Sequence, residues 1–151
     1  MKNNNNHTKR IGSKNIYKNR EINKNKNLNY KNRILLVEND EDNRFIIKLI
    51  LEKYGFEVVS ASNGASALEF FDNTFSFAIV NIALPDSEGL TLLNMLRKIN
   101  CDLKSIVILD IHDSEIIDDV VVLKKPISTK KVLNAIDKAF LKNNFRKQSY
   151  F

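Results

Sequence analysis

Cysteine is almost absent from this sequence. Cys101 is the only one among 151 residues. One thiol cannot form an internal disulfide, so nothing in the chain points to an oxidising compartment; Cys101 reads as a free thiol near a loop. Long apolar runs are missing too. No stretch approaches the ~18 apolar residues that a membrane-spanning helix needs. The N-terminus carries Lys and Asn where a signal peptide would have its apolar segment. Acidic residues are scarce in one region. Residues 1–33 hold ten Lys or Arg and one acid, Glu21, a net of +9, whereas residues 34–151 hold fourteen basic and seventeen acidic residues, a net of −3. The overall +6 thus conceals an acidic globule with a basic tail. The expectation is a soluble, cytoplasmic protein, long enough for one domain with a buried core plus a tail.

Residues 1–32 are mostly Asn and Lys, with Ile11, Ile16, Tyr17, Ile22, Leu28 and Tyr30 at no regular spacing. Such a segment cannot bury enough apolar surface to offset the entropy of ordering, so it is expected to be disordered. It is either a solvated leader or a basic arm for nucleic acid or another acidic surface. No aromatic stacking pattern or RNA motif accompanies the charge, which favours the leader.

From Arg33 short apolar runs alternate with helical patterns. Ile34-Leu35-Leu36-Val37 has the continuous apolar character of a strand buried on both faces. A helix is expected from about Asp42, with Phe45, Ile46, Leu49 and Ile50 on one face, stopping near Tyr54-Gly55 where Gly supplies a left-handed cap. Residues 56–60, 77–80, 105–109 and 120–123 read as further strands. A helix after Asn63-Gly64 turns Ala67, Leu68 and Phe71 inward, and one ending near Ile99 buries Leu92, Leu93 and Leu96. Ser128 or Thr129 caps a last helix with Val132, Leu133, Ile136 and Phe140 inward. Strands alternating with helices imply an α/β fold with a parallel sheet covered on both faces, here a flavodoxin-like doubly wound domain over residues 33–143, strand order 2-1-3-4-5. Residues 144–151 are expected to be a short tail. Sites in such folds lie at the carboxyl ends of the strands, which directs attention to Glu38, Asn39, Asn81, Asp110 and Lys125.

Three motifs stand at those ends. Residues 34–44, ILLVENDEDNR, resemble the opening of a response-regulator receiver domain. Residues 81–89, NIALPDSEG, resemble the family's second motif, and Lys125-Pro126 the third, whose peptide bond is commonly cis. The resemblance covers about 110 residues and implies two-component (phosphorelay) signalling through phosphorylation of an aspartate. In the family a carboxylate cluster holds Mg²⁺, a hard cation that takes oxygen ligands. One Asp attacks a phosphohistidine, while the metal and a Lys offset charge on the moving phosphoryl group. A hydroxyl after strand four then bonds the phosphate and moves an aromatic side chain on strand five.

This chain departs from that pattern at most positions. The resemblance puts Asn81 on the phosphoacceptor, and a carboxamide has no anionic oxygen and is a poor nucleophile. It puts Glu38 and Asn39 on the acidic pair, so weak or no Mg²⁺ binding is expected, and no other cofactor. It puts Asp110 on the hydroxyl, where a carboxylate would repel phosphate, and Val122 on the aromatic switch. Lys125 alone is as the family has it. From Asp110 to Lys125 is 15 positions, fewer than usual. At ~3.6 residues per turn, the fourth helix, between strands four and five, is then shortened or missing. With Asn81 uncharged, Lys125 is expected to pair with Asp110 or Glu38, or else to turn to solvent. Asp40, Glu41 and Asp42 suit a solvated helix start. Asp86, Glu88 and His112 read as exposed loop residues, no second His or Cys lying at metal spacing from His112.

The first functional expectation is a pseudo-receiver that is no enzyme and is not phosphorylated on Asp. It would act as an interaction module for a histidine kinase, phosphotransfer or other signalling protein. The second is a working receiver that uses Asp86, Asp40 or Asp110. The third is nucleic-acid binding through residues 1–33, which would be salt-dependent. About ten residues follow Leu141, so no output domain is expected after the receiver.

Overall fold

The computed structural model describes residues 33–113, 117 and 120–148. The basic segment 1–32 therefore lies outside the described residues, as do residues 149–151. In chain order the elements are β1 (Arg33–Val37), α1 (Glu41–Lys53), β2 (Glu57–Ala61), α2 (Gly64–Phe70), β3 (Phe75–Asn81), α3 (Gly89–Ile99), β4 (Lys104–Leu109), β5 (Val121–Lys124) and α4 (Thr129–Gln148). All strand pairs are parallel, in the order β2-β1-β3-β4-β5. This is the flavodoxin-like arrangement that the alternating pattern predicts.

The near-continuous apolar strands bury both faces, and alternate residues feed two cores. Ile34 and Leu36, with Phe77, Ile79, Ile106, Ile108 and Leu123, pack beneath α1 and α4. Leu35 and Val37, with Ala78, Val80, Val107 and Leu109, pack beneath α2 and α3. The period of two in a strand makes this division automatic.

Helix ends follow local chemistry. The Asp40 side chain accepts from the Asn43 N–H, so α1 begins at Glu41 with Glu41 and Asp42 in its first turn. That places negative charge where the helix dipole favours it. Ser128 Oγ accepts from Lys131 N–H at 3.2 Å and caps α4. Gly55 takes φ +89° after α1, as the cap required.

Three expectations change. Phe45, Ile46 and Leu49 are 65%, 43% and 51% exposed, and α1 instead buries Ile47 and Leu51. Two apolar stripes compete on this helix, and the one containing Ile47, Ile50, Leu51 and Tyr54 faces the sheet. Phe140 is exposed, while Val132, Leu133 and Ile136 are buried as expected. Helix α4 continues to Gln148, across the boundary expected at residue 143.

Four helices stand among the described residues, and the fourth in chain order follows β5. Between β4 and β5 the described residues include a turn at Ile111 and His112. Residues 114–116 and 118–119, on which the length of a helix there depends, lie outside the described residues. No described helix is long and apolar enough to cross a membrane.

Candidate functional site

The carboxyl ends of β1, β3 and β5 meet in one pocket. Ladder hydrogen bonds continue past the strands and fix the chain there: Glu38 N–H donates to Ala61 O at 3.1 Å, Ile82 N–H to Ile108 O at 3.0 Å and Lys125 N–H to Leu109 O at 2.9 Å. Glu38 is completely buried and Asn81 is 6% exposed.

Glu38 is the hub. Its Oε1 accepts from Asn81 Nδ2 at 2.7 Å and from the Asp40 N–H at 3.0 Å. Its Oε2 has no hydrogen bond among the described residues and faces Lys125 Nζ at 3.7 Å. The Arg44 guanidinium reaches back from α1 to donate to Glu38 O at 2.7 Å, holding the turn between strand and helix. Asn81 is satisfied on both sides: its Oδ1 accepts from the Ala83 N–H at 3.1 Å. Its Nδ2 also lies 3.0 Å from the Asn39 side chain. Turned over, the Asn39 amide could donate to Ala83 O and Glu38 Oε1. Asn81 Nδ2 favours the orientation that presents the Asn39 oxygen, because the other sets two N–H donors against each other.

Lys125 follows β5 directly, and Lys124 is in register with Leu109 of β4. The bond from Lys125 to Pro126 is cis. The ammonium thus reaches from the fifth strand to the first, and its side chain retains 21% exposure. Of the partners left open by the sequence, Glu38 is the one found. Asp110 is exposed and turned to its own loop, where Oδ1 accepts from the Ile111 N–H at 2.7 Å. Val122 packs against the core beneath α2 and α3. Glu38, Asn39, Asn81 and Lys125 therefore come together, while Asp110 and Val122 stand apart from the network. His112 is exposed, and Cys101 is an exposed free thiol.

A family model for the response regulator receiver domain matches residues 34–137. The chain belongs to the response-regulator receiver family. Among curated relatives, the response regulator receiver protein CpdR of Brucella abortus is 34% identical over 116 residues, 72% of this chain and 97% of that protein. The chemotaxis protein CheY of Bacillus subtilis is 32% identical over 114 residues, covering 70% and 95%. Among solved structures, a CheY-like receiver domain from Methanospirillum hungatei superposes with a TM-score of 0.64 at 28% identity, covering 76% of this chain and 97% of that one. The receiver domain of the hybrid histidine kinase CckA gives 0.62 at 26%, covering 71% and 97%. Receivers of two-component signalling work by engaging kinases or other signalling proteins, and this receiver shares their fold over the whole domain.

One residue does more in this receiver than its sequence context suggests. Asp86, read above as a solvated loop residue, accepts from the Gly64 N–H at 2.8 Å and the Ala65 N–H at 2.9 Å. It ties the loop after β3 to the start of α2. Those two backbone donors hold its carboxyl below the usual 3.8. Its partners are 22 and 21 positions away, so no local pattern could have revealed the contact. Gly89 closes the same loop. A Cβ there would stand 2.2 Å from Asn81 O and 2.8 Å from Ile82 Cα, so the acceptor-position backbone requires a glycine beside it.

Proposed function

We propose that this chain is an atypical cytoplasmic receiver, not an enzyme, that acts as a protein-interaction module without being phosphorylated on an aspartate. The observation that carries this reading is the state of Asn81. A residue in the phosphoacceptor position must offer an anionic oxygen to phosphorus. Asn81 offers a carboxamide whose nitrogen is donated to Glu38 and whose oxygen is taken by the Ala83 N–H.

The donor set does not suit Mg²⁺. The ion favours near-octahedral oxygen coordination. Here a single buried carboxylate, Glu38, already serves two N–H donors and faces an ammonium. Asn39 contributes an amide, and Asp40 is engaged as a helix cap. Among the described residues no three His, Cys, Asp or Glu side chains are grouped as a metal would require. The aspartates that could substitute as acceptors are also engaged, Asp40 with Asn43, Asp86 with Gly64 and Ala65, and Asp110 with Ile111.

The interaction reading draws support from α1, where Phe45, Ile46 and Leu49 form an exposed apolar row on a helix that starts at the pocket. Contiguous apolar surface of this kind marks contact sites for other proteins. The partner class expected for such a row is a signalling protein.

The test is incubation with acetyl phosphate and Mg²⁺, followed by intact-mass measurement. No phosphoryl adduct should form. An adduct that maps to any aspartate would overturn the reading in favour of a working receiver with a displaced acceptor.

A further inference from the structure

The pocket places an amine, a carboxamide and a carboxylate so that the carboxylate faces both of the others. Glu38 Oε2 meets the Lys125 ammonium at 3.7 Å, and Glu38 Oε1 accepts from Asn81 Nδ2 at 2.7 Å. We propose that Lys125 and Asn81 become joined by an intramolecular isopeptide bond, with Glu38 relaying the protons.

The strand order sets nucleophile and electrophile against the two oxygens of one carboxylate. Glu38 follows β1 and Lys125 follows β5, while β3 and β4 lie between them. The ends of β4 and β3 lie between the β5 end and Glu38, and Asn81 is the last residue of β3. The Asn81 carbonyl is already polarised, because its Oδ1 accepts from the Ala83 N–H at 3.1 Å. A fixed backbone donor on that oxygen stabilises the charge that develops there when the carbon is attacked. The leaving group is held as well, since the carboxamide nitrogen rests on Glu38. The proton acceptor facing Lys125 is buried and has no competing hydrogen bond among the described residues.

The step balances without a co-reactant. Lys125 passes a proton to Glu38 Oε2 and becomes a neutral amine, the form that is nucleophilic. Nζ attacks Asn81 Cγ and forms the new C–N bond. The attacking nitrogen gives up a second proton, and the Nδ2 leaving group gains one. The Cγ–Nδ2 bond breaks, ammonia departs, and the proton held on Glu38 leaves with it as ammonium. Glu38 is a carboxylate again, and nothing has been oxidised or reduced. The product ties the end of β3 to the segment between β5 and α4 in one fixed arrangement.

This inference rests on the proposed function, in which Asn81 is no phosphoacceptor, with the Lys125–Glu38 ion pair as the reactant state, but it can fail alone. The experiment is intact-mass measurement of the purified full chain, fresh and after prolonged incubation, with peptide mapping. The wild type is expected to weigh less than its sequence by one ammonia, with Lys125 and Asn81 recovered in one branched peptide. Lys125→Arg keeps a cation beside Glu38 but offers a non-nucleophilic guanidinium, so it should fold and keep its full mass. Glu38→Gln should also keep its full mass, its folding being checked by circular dichroism. A wild-type chain that stays at its sequence mass would overturn the proposal and leave the ion pair standing. A mass raised by hydrolysis of the carboxamide to a carboxylate would overturn it too, since it would make water the nucleophile. A branched peptide that joins Lys125 to any residue other than Asn81 would do the same.

Discussion

At the scale of single residues, the pocket depends on what surrounds the Glu38 carboxylate. Its buried carboxylate faces the mostly buried Lys125 ammonium at 3.7 Å. Removing one member of a buried pair costs more than a surface pair is worth, because the other charge is left without compensation. Lys125→Met is therefore expected to lower stability by about 2–3 kcal/mol, somewhat below the fully buried range because Lys125 remains partly in water. A double-mutant cycle with Glu38→Gln, read by urea unfolding on chains of full sequence mass, should give a coupling of about 1–2 kcal/mol. The parallel cycle with Asp110→Asn should give none, since Asp110 is turned to Ile111. Equal couplings in the two cycles would show that the pair described here does not hold the pocket.

Asp86 makes a second prediction at this scale, one of pH. Two backbone N–H donors favour its ionised form, so its folded pKa lies below 3.8. A depressed carboxyl contributes stability that is fully present above its unfolded pKa and is lost as pH falls through its folded pKa. Asp86→Asn should leave a flatter stability profile on the acid side of 3.8, with wild type and variant converging at the lowest pH. A variant whose acid limb parallels the wild type would show that the contact with α2 carries no titratable stability.

At the scale of elements, α1 divides its apolar residues between two tasks. Ile47 and Leu51 serve the core, while Phe45, Ile46 and Leu49 stay exposed. Phe45→Asp should then change stability by no more than about 0.5 kcal/mol, as surface substitutions usually do. Binding to a signalling partner should nonetheless weaken severalfold, as calorimetry or surface capture would report. Loss of folding would place Phe45 in the core after all. The loop from β3 to α3 is less tolerant. Gly89→Ala sets a methyl group against the Asn81 carbonyl at 2.2 Å, so it is expected to cost about 1–3 kcal/mol by overpacking. Thermal unfolding measures it, and an unchanged midpoint would show that the loop can yield.

At the scale of the whole molecule, the sheet decides which end carries chemistry, and the residues there decide which chemistry. Replacing Asn39 and Asn81 together by Asp adds two negative charges beside Glu38. The double variant is expected to bind Mg²⁺ by titration calorimetry where the wild type does not, because hard cations take carboxylate oxygens. Tight binding by the wild type would contradict the donor-set argument.

Much of this was legible along the chain. The continuous apolar run at residues 34–37 read as a strand buried on both faces, residues 77–80 and 105–109 read as further strands, and their alternation with helical spacing implied a parallel sheet. The identities of Glu38, Asn39, Asn81 and Lys125 were likewise enough to show a pocket short of carboxylates, because a side chain's charge is a property of the residue. What the sequence left open was pairing. Lys125 had Asp110 and Glu38 as equal candidates, and the fold chose Glu38 by turning Asp110 into its own loop. Asp86 is exposed in its loop as expected, but its bonds to the Gly64 and Ala65 N–H groups of α2 came only with the fold. On α1 the spacing pointed to Phe45, Ile46, Leu49 and Ile50 as the inward face, but packing against the sheet selected the stripe with Ile47 and Leu51. Residue type and period are local, so one chain suffices to read them. Contacts across 20 or more positions depend on where strands are laid side by side, and only the folded sheet determines that.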